Sequence, residues 1–425
     1  MQVQTGKGTI SMMVVLAIWS LSLAVDLPGL AVTPIEGQLR TIFSDATDFK
    51  IQLLTVLPNL VIIPFVLLSG KLSESKHKIA VITAGTVLYI AAGALSIFSG
   101  SLNMLILLSC LLGAGCGLIL PFSTGLIADV FTGKYRMKQM GIISAIGNVA
   151  LVVATFVVGF LAAKSWHLPF LVYLLPLLSL VLIPFLKKIP QSDYDQPAPA
   201  ASDDSKTTTA QTTAIPAVDA DGFSTKGQTV KGGFYIGRTV WLMLAYFFFV
   251  FATCIPCYYL PNMKWIDAES ASTMTSVFYL AMFVIGLGLT PFMKMFRKTT
   301  FIVATGMIVA GFALFIFTHA FVPYVIGAAL CGLGNGIAQP IFYTKATEVV
   351  TSDSKSTLSL AYLQVANYVA ISLVPVIIGA ASAIFGQKGS ELFPFIFSGI
   401  ATAVVFVFVI IRSRHFVFGM SKNYY

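Results

Sequence analysis

One carboxylate stands deep among apolar neighbours. Asp26 lies between Leu21-Ser-Leu-Ala-Val25 and Leu27-Pro-Gly-Leu30, and burial away from water raises a carboxyl pKa by as much as several units. A group so placed can take up and release a proton near neutral pH, as proton-linked transport needs. The plainer alternative is a hydrated carboxylate at the mouth of a helix. Amides and phenols share these apolar surroundings: Asn59, Asn148, Asn335, Gln339, Gln364 and Asn367, with Tyr246 and Tyr368. They offer donors and acceptors to a substrate, or hydrogen bonds between helices worth about 0.6–2 kcal/mol in a membrane. Gln364 and Asn367 are spaced to share a helix face, which Tyr368 joins. The run Tyr246-Phe-Phe-Phe-Val-Phe251 must cover several faces of a helix, so some rings point to lipid. Tyr258 and Tyr259 suit an interfacial aromatic belt.

Other chemistries fail on spacing. The glycine patterns are G-x-G-x-G inside apolar helices, not a dinucleotide fingerprint after a strand. Gly70-Lys71 and Gly133-Lys134 are followed by Leu and Tyr and lack the upstream glycine of a phosphate-binding loop. His77, His167, His319 and His415 fall at span ends or in loops, so no interior metal site or triad is expected. Cys254-Ile-Pro-Cys257 has redox spacing, but inside an apolar helix it reads as two small packing residues. No cofactor and no enzymatic activity are expected. No basic run carries interleaved aromatics, so nucleic acid is not expected as a partner.

The elements that must position these residues are membrane helices. The chain is 57% hydrophobic and 10% charged, with mean hydropathy +0.88, whereas soluble domains carry about 25% charged residues. At about 20 apolar residues per span, twelve spans are expected, near 9–33, 51–70, 79–98, 104–128, 140–163, 168–186, 239–261, 272–293, 300–318, 321–344, 357–384 and 392–411. With both ends of the chain cytoplasmic, 21 of the 26 Lys and Arg lie on the inner side, as positive-inside topology requires. The net charge of +9 is mostly this asymmetry. Residues 189–236, rich in Pro, Ala, Ser, Thr and Asp, read as a cytoplasmic linker. They separate a six-helix bundle at 1–188 from another at 237–425. The absence of any N-x-[ST] sequon suits a bacterial plasma membrane. Polar interior residues avoid every third span, so spans three, six, nine and twelve are expected to face lipid and the other eight to surround a central path.

The two bundles share a repeat. Gly113-Ala-Gly115-Cys-Gly117-Leu-Ile-Leu-Pro121 recurs 219 residues later as Gly332-Leu-Gly334-Asn-Gly336-Ile-Ala-Gln-Pro340. In the same register Asp129 meets Glu348, Arg136 meets Lys355 and Asn148 meets Asn367. Glycines four apart share a helix face and the middle one points roughly opposite. Neighbouring helices are therefore expected to approach closely on two sides. Pro121 and Pro340 free the carbonyls of Gly117 and Gly336, which marks either a pair of hinges or static close packing.

Twelve spans in two six-span halves, a parallel repeat and a cytoplasmic linker resemble the major facilitator superfamily. The turn Gly70-Lys-Leu72-Ser-Glu74-Ser-Lys-His77-Lys78 is similar to that family's loop between spans two and three, G-x-L-x-D-x-x-G-[RK]-[RK]. Gly70, Leu72, Glu74 and Lys78 match, while His77 and Ile79 depart from it. Trp166-His-Leu-Pro-Phe170 is also family-like. Ser109 stands where many proton-coupled members carry arginine, and Gly147-Asn148 where efflux members often have Gly-Pro. The resemblance implies an all-α fold of twelve transmembrane helices in two pseudo-symmetric halves. It also implies that Glu74 meets the start of span eleven near Ser354–Ser356 and holds the inner gate shut; the alternative is a solvated loop charge. The expected function is rocker-switch transport of a small lipophilic or weakly cationic compound, by proton-coupled efflux from a monomer in the bilayer. Alternatives are proton-coupled nutrient uptake, lipid or glycolipid flipping, and a membrane scaffold or sensor.

Overall fold

The computed structural model describes residues 2–189 and 229–424, except 7, 25–26, 33–34, 44–47, 76, 188, 261–262, 264, 267, 414 and 421–423. The first half comprises α1 (Met12–Ser20), α2 (Glu36–Ile42), α3 (Asp48–Leu72), α4 (Lys78–Ile97), α5 (Leu102–Val130), α6 (Gly133–Ala162) and α7 (Leu177–Leu186). The second comprises α8 (Ile236–Tyr259), α9 (Ala268–Leu287), α10 (Leu289–Phe296), α11 (Thr300–Phe317), α12 (Phe321–Ala346), α13 (Ser356–Ile384) and α14 (Phe393–Ile411). Ten described helical stretches are long and apolar enough to cross a membrane, and Met12–Ala24 and Thr273–Leu287 are shorter apolar ones. Together these supply the twelve spans. We call the side carrying the 189–236 linker the linker face.

Two spans differ from their expected extents. The first helix starts where Ser11 Oγ accepts the N–H of Met13 (3.4 Å) and passes into a 3₁₀ turn, Leu21–Ala24. Regular helix does not continue to residue 33. Pro28 has no N–H and its ring would clash with the carbonyl of Ala24, and Gly29 turns the chain at φ +86°. The eighth span ends at Leu287, and after Gly288 the short α10 follows with Lys294 and Met295 exposed.

The repeated glycines set the packing. A Cβ on Gly113 would lie 2.5 Å from Pro58 O, and one on Gly117 2.7 Å from Ile62 O, both on α3. On the opposite side a Cβ on Gly115 would lie 2.7 Å from the Tyr89 nitrogen of α4. The second half repeats this. Gly332 and Gly336 press on Phe278 and Met282 of α9, while Gly334 presses on Ala304 of α11. So α5 and α12 are each clamped between two neighbours at backbone distance, and both run on through their prolines. Outward side chains such as Val181, Phe317 and Val404 are exposed, consistent with a lipid-facing third helix in each triplet.

Each half also begins with a short antiparallel hairpin on the linker face: β1 (Gln2–Gln4) with β2 (Thr9–Ser11), and β3 (Val230–Lys231) with β4 (Phe234–Tyr235). The N–H of Thr132, between α5 and α6, donates to Thr5 O (3.0 Å), and that of Thr351, between α12 and α13, to Gly233 O (2.9 Å). Thr132 and Thr351 stand 219 residues apart, so these two ties are repeat mates.

Candidate functional site

A connected set of uncharged polar groups crosses between the halves. On α6, Asn148 Nδ2 donates to Ser144 O (2.7 Å). Ser144 Oγ, on the same turn, donates to Gln339 Oε1 of α12 (2.9 Å). Gln339 Nε2 donates to the Tyr343 hydroxyl one turn on (3.0 Å). That hydroxyl also receives Gln364 Nε2 from α13 (3.3 Å) and the Tyr246 hydroxyl from α8 (3.4 Å). The ring of Tyr246 packs against Phe342 (centroids 5.1 Å apart) and Phe249 (6.4 Å). Four helices thus converge on one phenol. At 1.5 Å rise per residue, Ser144 sits about 16 Å in from the start of α6, near mid-membrane. Polar groups at that depth are costly unless hydrogen-bonded. Because every member is neutral, the Ser144–Gln339 link can open without stranding a charge.

Below this network the halves close on each other at the linker face. Glycines permit it: a Cβ on Gly125 of α5 would lie 2.3 Å from Thr357 Oγ1 of α13, and one on Gly70 of α3 2.5 Å from Ala361 Cβ. Gly141 of α6 and Gly286 of α9 meet backbone to backbone, each Cβ position lying 2.8 Å and 2.9 Å from the other's carbonyl oxygen. Polar contacts reinforce the seam. Buried Arg136 donates to Phe131 O (2.8 Å), Ala128 O (2.9 Å) and, across the halves, Thr347 Oγ1 (2.7 Å). Thr344 Oγ1 donates to Met137 Sδ (3.5 Å).

The structure places the expected residues unevenly. Asn148, Tyr246, Gln339 and Gln364 join the network. Asn335 lies one turn before Gln339 and is half-buried, as is Asn367, while Tyr368 is buried. Asn59 donates to Thr55 O of its own helix (3.1 Å), outside the network. Asp26 lies outside the described residues. Glu74 is exposed, and the meeting of its turn with α13 falls to Gly70, whose missing side chain admits Leu358 and Ala361. Lys78 pairs with Asp129 within the first half (3.1 Å), so its carboxylate partner is a repeat marker rather than a group in the other half.

Ser144 and Tyr343 were not anticipated, although each lies four residues from an expected amide, the spacing that shares a helix face. Nor was the burial of three cations. Arg136, Arg238 and Lys345 read in the sequence as inner-face topology charges, yet they are 8%, 2% and 0% exposed.

Residues 9–266 match the Major Facilitator Superfamily. Over 108 residues the chain is 31% identical to the multidrug transporter protein MdtP of Bacillus subtilis, a stretch covering 25% of this chain and 20% of that one. Over 148 residues it is 29% identical to the quinolone resistance protein NorA of Staphylococcus aureus, covering 34% and 37%. The chain therefore aligns with only about a fifth to a third of the length of these relatives. In fold it superposes on the proton:xylose symporter XylE with TM-score 0.69 at 12% identity, covering 97% of this chain and 98% of that one.

Proposed function

The chain belongs to the Major Facilitator Superfamily, and on that premise we propose that it exports a small lipophilic or weakly cationic compound by proton-coupled alternating access. As a member of that family it is a multi-pass membrane transporter and not an enzyme. The observation that carries the finer reading is the Ser144–Gln339 link. It joins the halves at mid-depth through uncharged groups, directly above a seam closed on the linker face. Opening the seam breaks that link and frees amide and hydroxyl groups beside the rings of Tyr246, Phe249 and Phe342. A compound with an apolar body and few polar atoms can satisfy such a surface. The aligned stretches of drug-exporting relatives favour efflux over uptake. In this reading residues 1–188 and 237–425 rock against each other as units tethered by 189–236. The linker face is cytoplasmic, in the plasma membrane of a bacterium, and the transporter acts as a monomer. Gly113, Gly115, Gly117 and Pro121, with Gly332, Gly334, Gly336 and Pro340, keep each triplet of helices rigid while the seam opens.

Asp26 is the proposed proton carrier, because it is the one acid the sequence places deep in a span. In proteoliposomes, a pH gradient should drive movement of a quinolone or a lipophilic cationic dye by the wild type. Asp26→Asn should lose the gradient dependence and retain exchange. Equal pH dependence in both proteins removes Asp26 from the mechanism. Movement of a fluorescent lipid instead of the dye would replace efflux by flipping, and gradient-driven accumulation of a nutrient would replace it by uptake.

A further inference from the structure

The linker-face end of α12 is held from two directions, and only one belongs to the seam. The other is the segment 415–424, which follows the last helix and folds back under the second half. Lys345, fully buried, donates its ammonium protons to the carbonyl oxygens of Phe416 and Gly419, the latter at 2.6 Å. The ring of Phe416 lies 4.9 Å from that ammonium and 4.6 Å from the guanidinium of Arg238. Phe418 packs its ring against Phe301 and Phe408, each 5.7 Å away between centroids. Val417, Met420 and Tyr424 are buried, and the Tyr424 hydroxyl donates to Glu348 Oε2. His415 opens the segment. Burial, then the positive charges of Arg412, Lys345 and Arg238, hold its imidazole below the ordinary value, so it docks neutral.

The order of contacts along α12 and the turn after it is informative. Thr344 reaches Met137 of the first half, Lys345 reaches the segment, Thr347 receives Arg136 of the first half, and Glu348 receives Tyr424 of the segment. The hairpin then takes over, as the Tyr235 N–H donates to Val349 O (2.9 Å). Residues contacting the other half thus alternate with residues contacting the segment. A buried ammonium is costly unless its protons are hydrogen-bonded, so Lys345 keeps its place only while the segment is docked. Undocking must move the end of α12, and with it the acceptor that Arg136 uses.

We propose that segment 415–424 is a latch that stabilises the form closed on the linker face, with Lys345 as its anchor and the Tyr424–Glu348 bond as its catch. It acts on the alternating-access reading above and adds a control point remote from the substrate network. Its docking favours one of the two forms, so the strength of docking sets how often the linker face opens.

The test is hydrogen exchange of the full chain in lipid nanodiscs, comparing wild type, Tyr424→Phe, Glu348→Gln and Thr347→Ala. Tyr424→Phe removes a single hydroxyl and keeps the ring. It should raise exchange at the linker-face ends of α5, α6, α12 and α13 about three- to tenfold, as loss of one hydrogen bond to a charged acceptor implies. It should also lower exchange at their opposite ends, because opening one face closes the other. Glu348→Gln should do the same. A purely structural role for the segment raises exchange at both ends or only locally, and either result overturns the latch. Thr347→Ala weakens the seam itself. If it gives the reciprocal pattern and Tyr424→Phe does not, the latch fails while alternating access stands. If neither variant gives it, both fail.

Discussion

Gly332→Val should prevent the chain from accumulating as folded protein, and Gly332→Ala should lower its melting temperature by several degrees. At this position a Cβ would stand 2.2 Å from the carbonyl oxygen of Phe278 and 3.0 Å from its carbonyl carbon. Both obstacles are backbone, so no rotamer change relieves them. α9 and α12 must separate along their length, losing the dispersion contacts that hold membrane helices together. Overpacking of a tight site costs typically about 1–3 kcal/mol, occasionally more. With the obstruction on the main chain, the valine lies at or beyond the upper end. Total stability is only about 5–15 kcal/mol for a typical domain, so the loss is decisive. Gly159→Ala and Gly379→Ala are the controls, since nothing lies within 4 Å of a Cβ at either. Alanine is the better helix former by about 1 kcal/mol, so both should melt at or above the wild-type temperature. A thermal melt followed by tryptophan fluorescence in detergent reads all four. A Gly332→Val protein that melts with the wild type would mean that α9 and α12 do not pack as described.

Tyr343→Phe should cut transport about tenfold or more at equal amounts of folded protein. The phenol oxygen is the acceptor for Gln339 and Gln364 and meets the hydroxyl of Tyr246. Phenylalanine keeps the ring and deletes the junction. Two amide N–H groups then lose their acceptor in a largely dry interior, at about 1–3 kcal/mol for each group left unsatisfied. The penalty falls on the form closed at the linker face, where the network is complete. Gln339 is also freed to turn away from Ser144, and the mid-depth link between halves weakens. One such penalty is enough for tenfold, at about 1.4 kcal/mol per decade. Initial rates in proteoliposomes measure the effect, with Tyr258→Phe as a phenol on the exposed side of α8. Wild-type rates in Tyr343→Phe would show that the network is structural only.

The membrane class, the two halves and the glycine clamps were all legible in the sequence, because each is written in a local pattern. Hydropathy gives the spans, and the spacing of Gly113, Gly115 and Gly117 gives a two-sided helix surface without knowledge of its neighbours. Four members of the polar network were legible for the same reason, since an amide inside an apolar span needs a partner. Ser144 and Tyr343 were not, because serine can satisfy itself on its own helix and tyrosine suits an interfacial belt equally well. Lys345, Arg136 and Arg238 obey the positive-inside rule, which gives the side of the membrane and nothing about burial. Their enclosure depends on segments distant in the chain, such as Phe416 beneath Lys345. The early end of the first helix was written in Pro28 and Gly29 but outweighed by the hydropathy around them.

The ties from Thr132 to Thr5 and from Thr351 to Gly233 bear on how such a chain could arise. Each fastens the turn in the middle of a half to the strand that leads into that same half. Neither borrows from the other copy. A unit that carries its own fastening can be copied whole, since the duplicate brings the strand it needs along with the helices it secures. The stretch left between the copies then has no fastening to perform. Its length and composition are free to drift, while the two threonines, 219 residues apart, keep the record of the single ancestor.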